Sequence, residues 1–121
     1  MKARDYKDLV AYQKSYEVAL LVYKLTSFFP SSEMYGLVSQ MRRAAVSVPS
    51  NISEGYRRGS HKEYVQFLQI SLGSTAELET QLSLSKDIGY INTDQFKEIY
   101  ELNEEVGKLL SSYISKLKKN S

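Results

Sequence analysis

Five cations, Arg42, Arg43, Arg57, Arg58 and Lys62, are the side chains whose type and spacing best suit chemistry. Guanidinium and ammonium groups contact phosphate without reading sequence, so a cluster of them predicts a surface for RNA or DNA. Residues 36–62 set these five against the single acid Glu54, a local net of +4, whereas residues 63–115 set three lysines against nine acids, a net of −6. On a helix turning about 100° per residue, Arg43, Ser47, Ser50, Glu54 and Arg57 fall within about 40° of one direction. Two readings stay open for that face: a solvated surface with local pairing to Glu54, or a surface facing another subunit or a nucleic acid.

Catalytic and metal chemistry find little support. The chain has one histidine, His61, and no cysteine. A disulfide, a thiolate metal site and a cysteine nucleophile are therefore excluded, and the one histidine that could serve a nucleophile as its base falls inside the capping box expected at the start of the third helix. A single histidine without cysteines does not make a zinc site, and a carboxylate di-metal bundle needs Glu-x-x-His motifs that are missing here. No catalytic residue, metal ligand or cofactor is expected. The run Gly55-Tyr56-Arg57-Arg58-Gly59-Ser60-His61-Lys62 has the glycines of a phosphate loop but lacks its Gly-Lys-Ser/Thr ending and a preceding strand. It reads as a helix-helix turn, with two arginines beside a helix N-terminus where an anion could rest. Glu79 falls about 20° from Leu68 on an apolar side, which predicts a partly buried carboxylate needing a cation. Arg42 is the expected partner in a structural ion pair, with Arg43 the alternative.

Four amphipathic segments must position these groups, at about residues 8–28, 33–59, 61–88 and 93–118. In the first, Leu9, Tyr12, Tyr16, Ala19, Leu20 and Tyr23 follow three-four spacing, and Phe29-Pro30 closes it. In the second, Leu37, Met41, Ala45, Val48 and Ile52 make one stripe, interrupted by Pro49. One kinked helix is expected there rather than two. Ser60 with Glu63 predicts a capping box, Gly89 a left-handed stop, and Asn92 to Gln95 a second cap. The third helix should bury Tyr64, Leu68, Ser71, Leu72, Thr75, Leu78 and Leu82. The fourth should bury Phe96, Ile99, Val106, Leu109, Leu110, Tyr113 and Leu117. Short connections between such helices predict an all-α, antiparallel, up-down-up-down four-helix bundle, a single domain over residues 1–121. Ten tyrosines without a tryptophan exceed what so small a core can hold, so some must sit at its boundary.

No stretch approaches the roughly 18 apolar residues of a membrane span, and Met1 to Lys7 is charged rather than a secretion signal, so a cytoplasmic location with no membrane contact is expected. The Asn51-Ile52-Ser53 sequon then carries no message.

Three blocks of sequence resemble a known family. Asp8-Leu9-Val10-Ala11-Tyr12-Gln13-Lys14, the long run from Tyr35-Gly36-Leu37 through Met41-Arg42-Arg43-Ala44-Ala45 to Ile52-Ser53-Glu54-Gly55, and Glu77-Leu78-Glu79-Thr80-Gln81-Leu82 look like the bacterial four-helix bundle proteins encoded in intervening sequences of 23S rRNA genes, the S23 ribosomal proteins. Tyr12 departs from the tryptophan often found there and keeps the aromatic character. The resemblance implies a ring-like homo-oligomer, commonly a pentamer. Related accessory proteins of diversity-generating retroelements bind nucleic acid and a reverse transcriptase. The expectation is thus a non-catalytic, homo-oligomeric RNA- or DNA-binding scaffold. The alternative is a protein-binding adaptor whose arginines serve inter-subunit ion pairs.

Overall fold

The computed structural model describes residues 5–120. Four helices account for most of them: α1 (Val10–Thr26), α2 (Leu37–Tyr56), α3 (His61–Asp87) and α4 (Thr93–Lys119). Single 3-10 turns at Tyr6–Asp8 and Ser31–Glu33 lead into α1 and α2. Each helix packs on its sequence neighbours, α1 also meets α4, and among the described residues the Cα atoms of the diagonal pairs stay more than 8 Å apart. The expected up-down-up-down bundle is therefore a closed ring of four rods.

The ends of the rods follow from local chemistry. At the start of α3 the Ser60 hydroxyl accepts the Glu63 amide at 3.2 Å. Glu63 turns its own carboxylate towards Arg58, so only half of the expected box forms. At the start of α4 both halves are present: Asn92 accepts the Gln95 amide at 2.8 Å and the Gln95 side chain accepts the Asn92 amide at 2.9 Å. Gly59 and Gly89 take φ of 79° and 86°, a region that side chains avoid, and this lets the chain leave α2 and α3 abruptly.

The α2 stripe is as expected: Leu37, Met41, Ala45, Val48 and Ile52 are all buried. The helix opens later than residue 33 because Ser31–Glu33 close a 3-10 turn and Gly36 carries non-helical dihedrals ahead of Leu37. It continues through Pro49 as one helix rather than two. Proline supplies no amide to the carbonyl four residues back. Two neighbouring carbonyls gain side-chain donors: the Ser71 hydroxyl of α3 reaches Val48 O at 2.9 Å, and the Asn51 amide reaches Ser47 O at 2.8 Å. Against α2, α3 buries Leu68, Ser71, Leu78 and Leu82, and α4 closes the core with Ile99, Val106, Leu110 and Ile114. Burying each large aliphatic group contributes roughly 1.5–3 kcal/mol.

The phase of α1 differs from expectation. Its buried residues are Ala11, Ser15, Val18, Val22 and Thr26. Tyr16, Leu20 and Tyr23 are exposed, and Tyr12 and Ala19 only half-buried. The reason is that the two hydroxyls in the core satisfy themselves on their own helix: Ser15 donates to Tyr12 O at 3.0 Å and Thr26 to Val22 O at 2.6 Å. Small residues with internal hydrogen bonds line the seam with little desolvation cost. The larger aromatic positions are left outside.

Candidate functional site

The cations lie in two groups, Arg42 and Arg43 within α2, and Arg57, Arg58 and Lys62 around the turn from α2 into the first turn of α3. Arg42 is half-buried: its Nε donates to Thr26 Oγ1 at 3.0 Å and its guanidinium stacks 4.5 Å above the Tyr23 ring. Arg43 is exposed, one residue further round the helix. About 21 Å along α2, at 1.5 Å per residue, Arg57 bonds both carboxylate oxygens of Asp5 at 3.2 Å and stacks on Tyr6. Arg58 pairs with Glu54 at 2.8 Å and lies 3.8 Å from Glu63 and 5.0 Å above the Phe67 ring. Lys62 is exposed and lines a shallow cleft of about 520 Å³ with His61, Gln66, Gln69 and Lys118. Exposed ion pairs of this kind contribute little to stability, so Arg57 and Arg58 can exchange their partners for another anion at low cost.

The Glu79–Arg42 ion pair does not form. Glu79 is half-buried, as expected, but its carboxylate accepts the Tyr100 hydroxyl of α4 at 2.6 Å. The two residues occupy opposite flanks of the α2–α3 seam: Arg42 faces α1 and Glu79 faces α4. Neutral phenol oxygen, rather than guanidinium, satisfies this carboxylate.

A surface that the sequence did not point to is the groove between α1 and α2. The exposed aromatic residues of α1 form one wall, with Tyr16 at 51% and Leu20 at 59% exposure. Val46, Pro49, Ser50 and Ser53 of α2 form the other, around a cleft of about 280 Å³. Tyr23 and Val46 connect it to a broader depression of about 600 Å³ that takes in Met34, Tyr35, Arg42 and Arg43. Tyr16, Leu20, Tyr23 and Val46 thus form a small exposed apolar strip along the groove. The tyrosine repeat at positions 12, 16 and 23 was the signal. Its three-four spacing reads as a core stripe, because spacing alone does not tell a buried stripe from a second, outward one.

Other tyrosines join the helices at one end of the bundle. Tyr12 and Tyr6 meet edge-to-face at 4.9 Å between ring centres, Tyr6 and Tyr56 at 6.5 Å, Tyr56 and Tyr64 at 5.8 Å, and Tyr64 and Tyr113 at 5.8 Å. Burial, and then its hydrogen bond to Tyr113, push the Tyr64 hydroxyl well above the ordinary tyrosine range. His61 places Nε2 2.7 Å from the Leu117 carbonyl and so fastens the last turn of α4 to the start of α3.

Among the described residues no group of three or more histidines and carboxylates is arranged to hold a metal, and no helix is long and apolar enough to cross a membrane.

Comparison with known proteins agrees with this architecture. Residues 7–112 match the 23S rRNA-intervening sequence protein family. The fold is similar, with a TM-score of 0.81, to the crystal structure of a protein with unknown function from the S23 ribosomal protein family from Bacteroides thetaiotaomicron VPI-5482. That protein is 29% identical, and the alignment covers 87% of this chain and 98% of that one. No curated protein matches.

Proposed function

We propose that this chain, which belongs to the 23S rRNA-intervening sequence protein family, is a non-catalytic scaffold that associates with copies of itself and offers a cationic surface to RNA or DNA. The whole bundle acts as a single domain. The observation that carries the reading is the α1/α2 groove, where Tyr16, Leu20, Tyr23 and Val46 are exposed together. Apolar area of this kind is stabilised by covering it, at roughly 25 cal/mol per Å². A closed ring is the assembly that the family resemblance implies, with five copies as its stoichiometry. Arg42, Arg43, Arg57, Arg58 and Lys62 supply the phosphate contacts. Arg43 and Lys62 are exposed for it, and the Asp5, Glu54 and Glu63 carboxylates are the anions that phosphate would displace from Arg57 and Arg58.

Two measurements test this. Light scattering behind gel filtration should give a mass above the protomer, falling towards it for Leu20→Glu. Titration of labelled structured RNA at two salt concentrations should show affinity dropping steeply with salt, as counterion release requires. A wild-type monomer at every concentration removes the scaffold, and no binding at low salt removes the nucleic-acid role.

The second reading, an adaptor for protein alone, is favoured by one observation: Arg57 and Arg58 already have carboxylate partners. Under it the partner is another protein, for which the family resemblance suggests a reverse transcriptase-like chain. Oligomer formation without RNA binding at low salt selects it.

A further inference from the structure

We infer that the N-terminal turn inhibits the cationic surface of its own chain: Asp5 and Tyr6 occupy Arg57 as a nucleotide would, and nucleic acid binds at full strength only when they leave. This rests on the nucleic-acid reading above and specifies how that surface is regulated.

Arg57 is held from far along the chain. Its Nη2 donates to both carboxylate oxygens of Asp5 at 3.2 Å, across 52 residues. Its guanidinium lies 5.2 Å from the centre of the Tyr6 ring. A two-oxygen anion beside a flat ring is also what a phosphate and its base present to an arginine. The Tyr6 amide donates to Asp5 Oδ1 at 2.8 Å, which aims the carboxylate. Because the two residues are neighbours joined in this way, both contacts on Arg57 form and break together.

Of the three carboxylates paired with the arginines, this one sits on a movable element. Glu54 lies within α2 and Glu63 in the first turn of α3, so the helices keep both beside Arg58. Asp5 caps the Tyr6–Asp8 turn, in which no residue is buried, and the turn can swing aside without opening the core. It is tied back by the Tyr6 ring against Tyr12 and Tyr56, by the Gln13 side-chain amide donating to Lys7 O at 2.9 Å, and by the exposed ion pair itself.

The turn sits where the bundle attracts anions most strongly. Residues 5–14, 54–66 and 108–120 meet at this end, and they carry nine lysines and arginines against four acids. Lys62 and Lys118 line one cleft there, with His61 fastening α4 to α3 beside them. A small anion that touches one arginine does not offset the loss of the Asp5 and Tyr6 contacts. A nucleic acid that spans several of these cations does. The turn thus sets a threshold that favours long polyanions.

Titration of labelled structured RNA at low salt tests this with Asp5→Ala, Arg57→Gln and the double variant. The exposed Glu98, about 30 Å along α4 from Lys118, supplies a control as Glu98→Gln. Asp5→Ala should bind about two- to fivefold tighter than the wild type, the bias that an exposed ion pair places on an equilibrium. The same change in the Arg57→Gln background should do nothing, and Glu98→Gln should bind as the wild type does. A gain that persists without Arg57, or that Glu98→Gln reproduces, is a general relief of negative charge and overturns the inference. Equal binding by the wild type and Asp5→Ala overturns it too, while leaving the nucleic-acid reading standing. Circular dichroism checks the fold, and Asp5→Asn, which keeps an acceptor for the Tyr6 amide, replaces alanine if α1 is disturbed. If neither the wild type nor the Asp5 variant binds, the nucleic-acid reading falls and the inference with it.

Discussion

The Tyr100 hydroxyl donates to Glu79 Oε1 at 2.6 Å, tying α4 to α3 on the flank away from α2. The carboxylate, and then burial, hold the Tyr100 pKa above its ordinary 10.0, because ionising the phenol would set two negative oxygens against each other. The folded chain thus keeps a proton that the unfolded chain releases. The bond's contribution is fully present below about pH 10 and is lost as pH rises through the raised value. Tyr100→Phe should lower the urea midpoint at pH 7 and flatten the fall in stability above pH 10. Unchanged denaturation curves at both pH values would show that the bond contributes nothing.

Two helical glycines, Gly55 in the last turn of α2 and Gly73 in the middle of α3, should respond to alanine with opposite signs. A Cβ at Gly55 would stand 2.6 Å from Phe67 Cβ and 3.2 Å from the Tyr64 ring, so α2 and α3 would have to move apart. Gly55→Ala should cost about 1–3 kcal/mol, as overpacking does. At Gly73 nothing lies within 4 Å, and Gly73→Ala should gain about 0.5–1 kcal/mol from helix propensity. Urea denaturation of the two variants, compared at one protein concentration, reads both signs.

The contact between His61 and the Leu117 carbonyl occupies one of the acceptors that the end of a helix leaves open. His61→Ala should release the last turn of α4 at a cost of roughly 0.5–1.5 kcal/mol, the net worth of one hydrogen bond. Amide exchange should quicken at Leu117 to Asn120 and stay unchanged in the buried centre of α4 around Val106. Uniform acceleration along α4 would contradict a local role.

Charge reversal separates the two uses of the arginines. Arg57→Glu with Arg58→Glu should weaken structured-RNA binding about tenfold or more and reduce the salt slope by about two ion equivalents. The oligomer mass should stay unchanged, because both side chains lie at the end of α2 away from Leu20. Loss of assembly would place them in the contact between copies.

The extent to which the sequence forecast this bundle depended on how plainly each helix buries its largest side chains. In α2 the apolar stripe and the core are the same residues, Leu37 to Ile52, and reading one gave the other. In α1 they are different residues. Ser15 and Thr26 look like surface and are buried at 1% and 3% exposure, because each hydroxyl finds a carbonyl on its own helix. Asn103 repeats the pattern between helices, its amide reaching Thr75 O at 3.0 Å inside the core. The cations were visible as residue types, and so was the local acid Glu54 that pairs with Arg58, but the partner of Arg57 was not. Asp5 reaches Arg57 only because the N-terminal 3-10 turn folds back beside the end of α2, and sequence separation conceals that contact. Glu79 was correctly expected to be half-buried, yet its partner depended on which flank of α3 it took.

The row of phenol rings from Tyr12 through Tyr6, Tyr56 and Tyr64 to Tyr113 has an optical consequence. The chain contains no tryptophan, so these chromophores report without a brighter one to mask them. Held at fixed angles, each ring within 6.5 Å of the next, they should produce a near-ultraviolet dichroic band sensitive to any shift at that end of the bundle. The protein thereby carries its own label: loosening of the segment around Tyr6, or a change there when a nucleic acid displaces Asp5 from Arg57, is readable from the unmodified molecule.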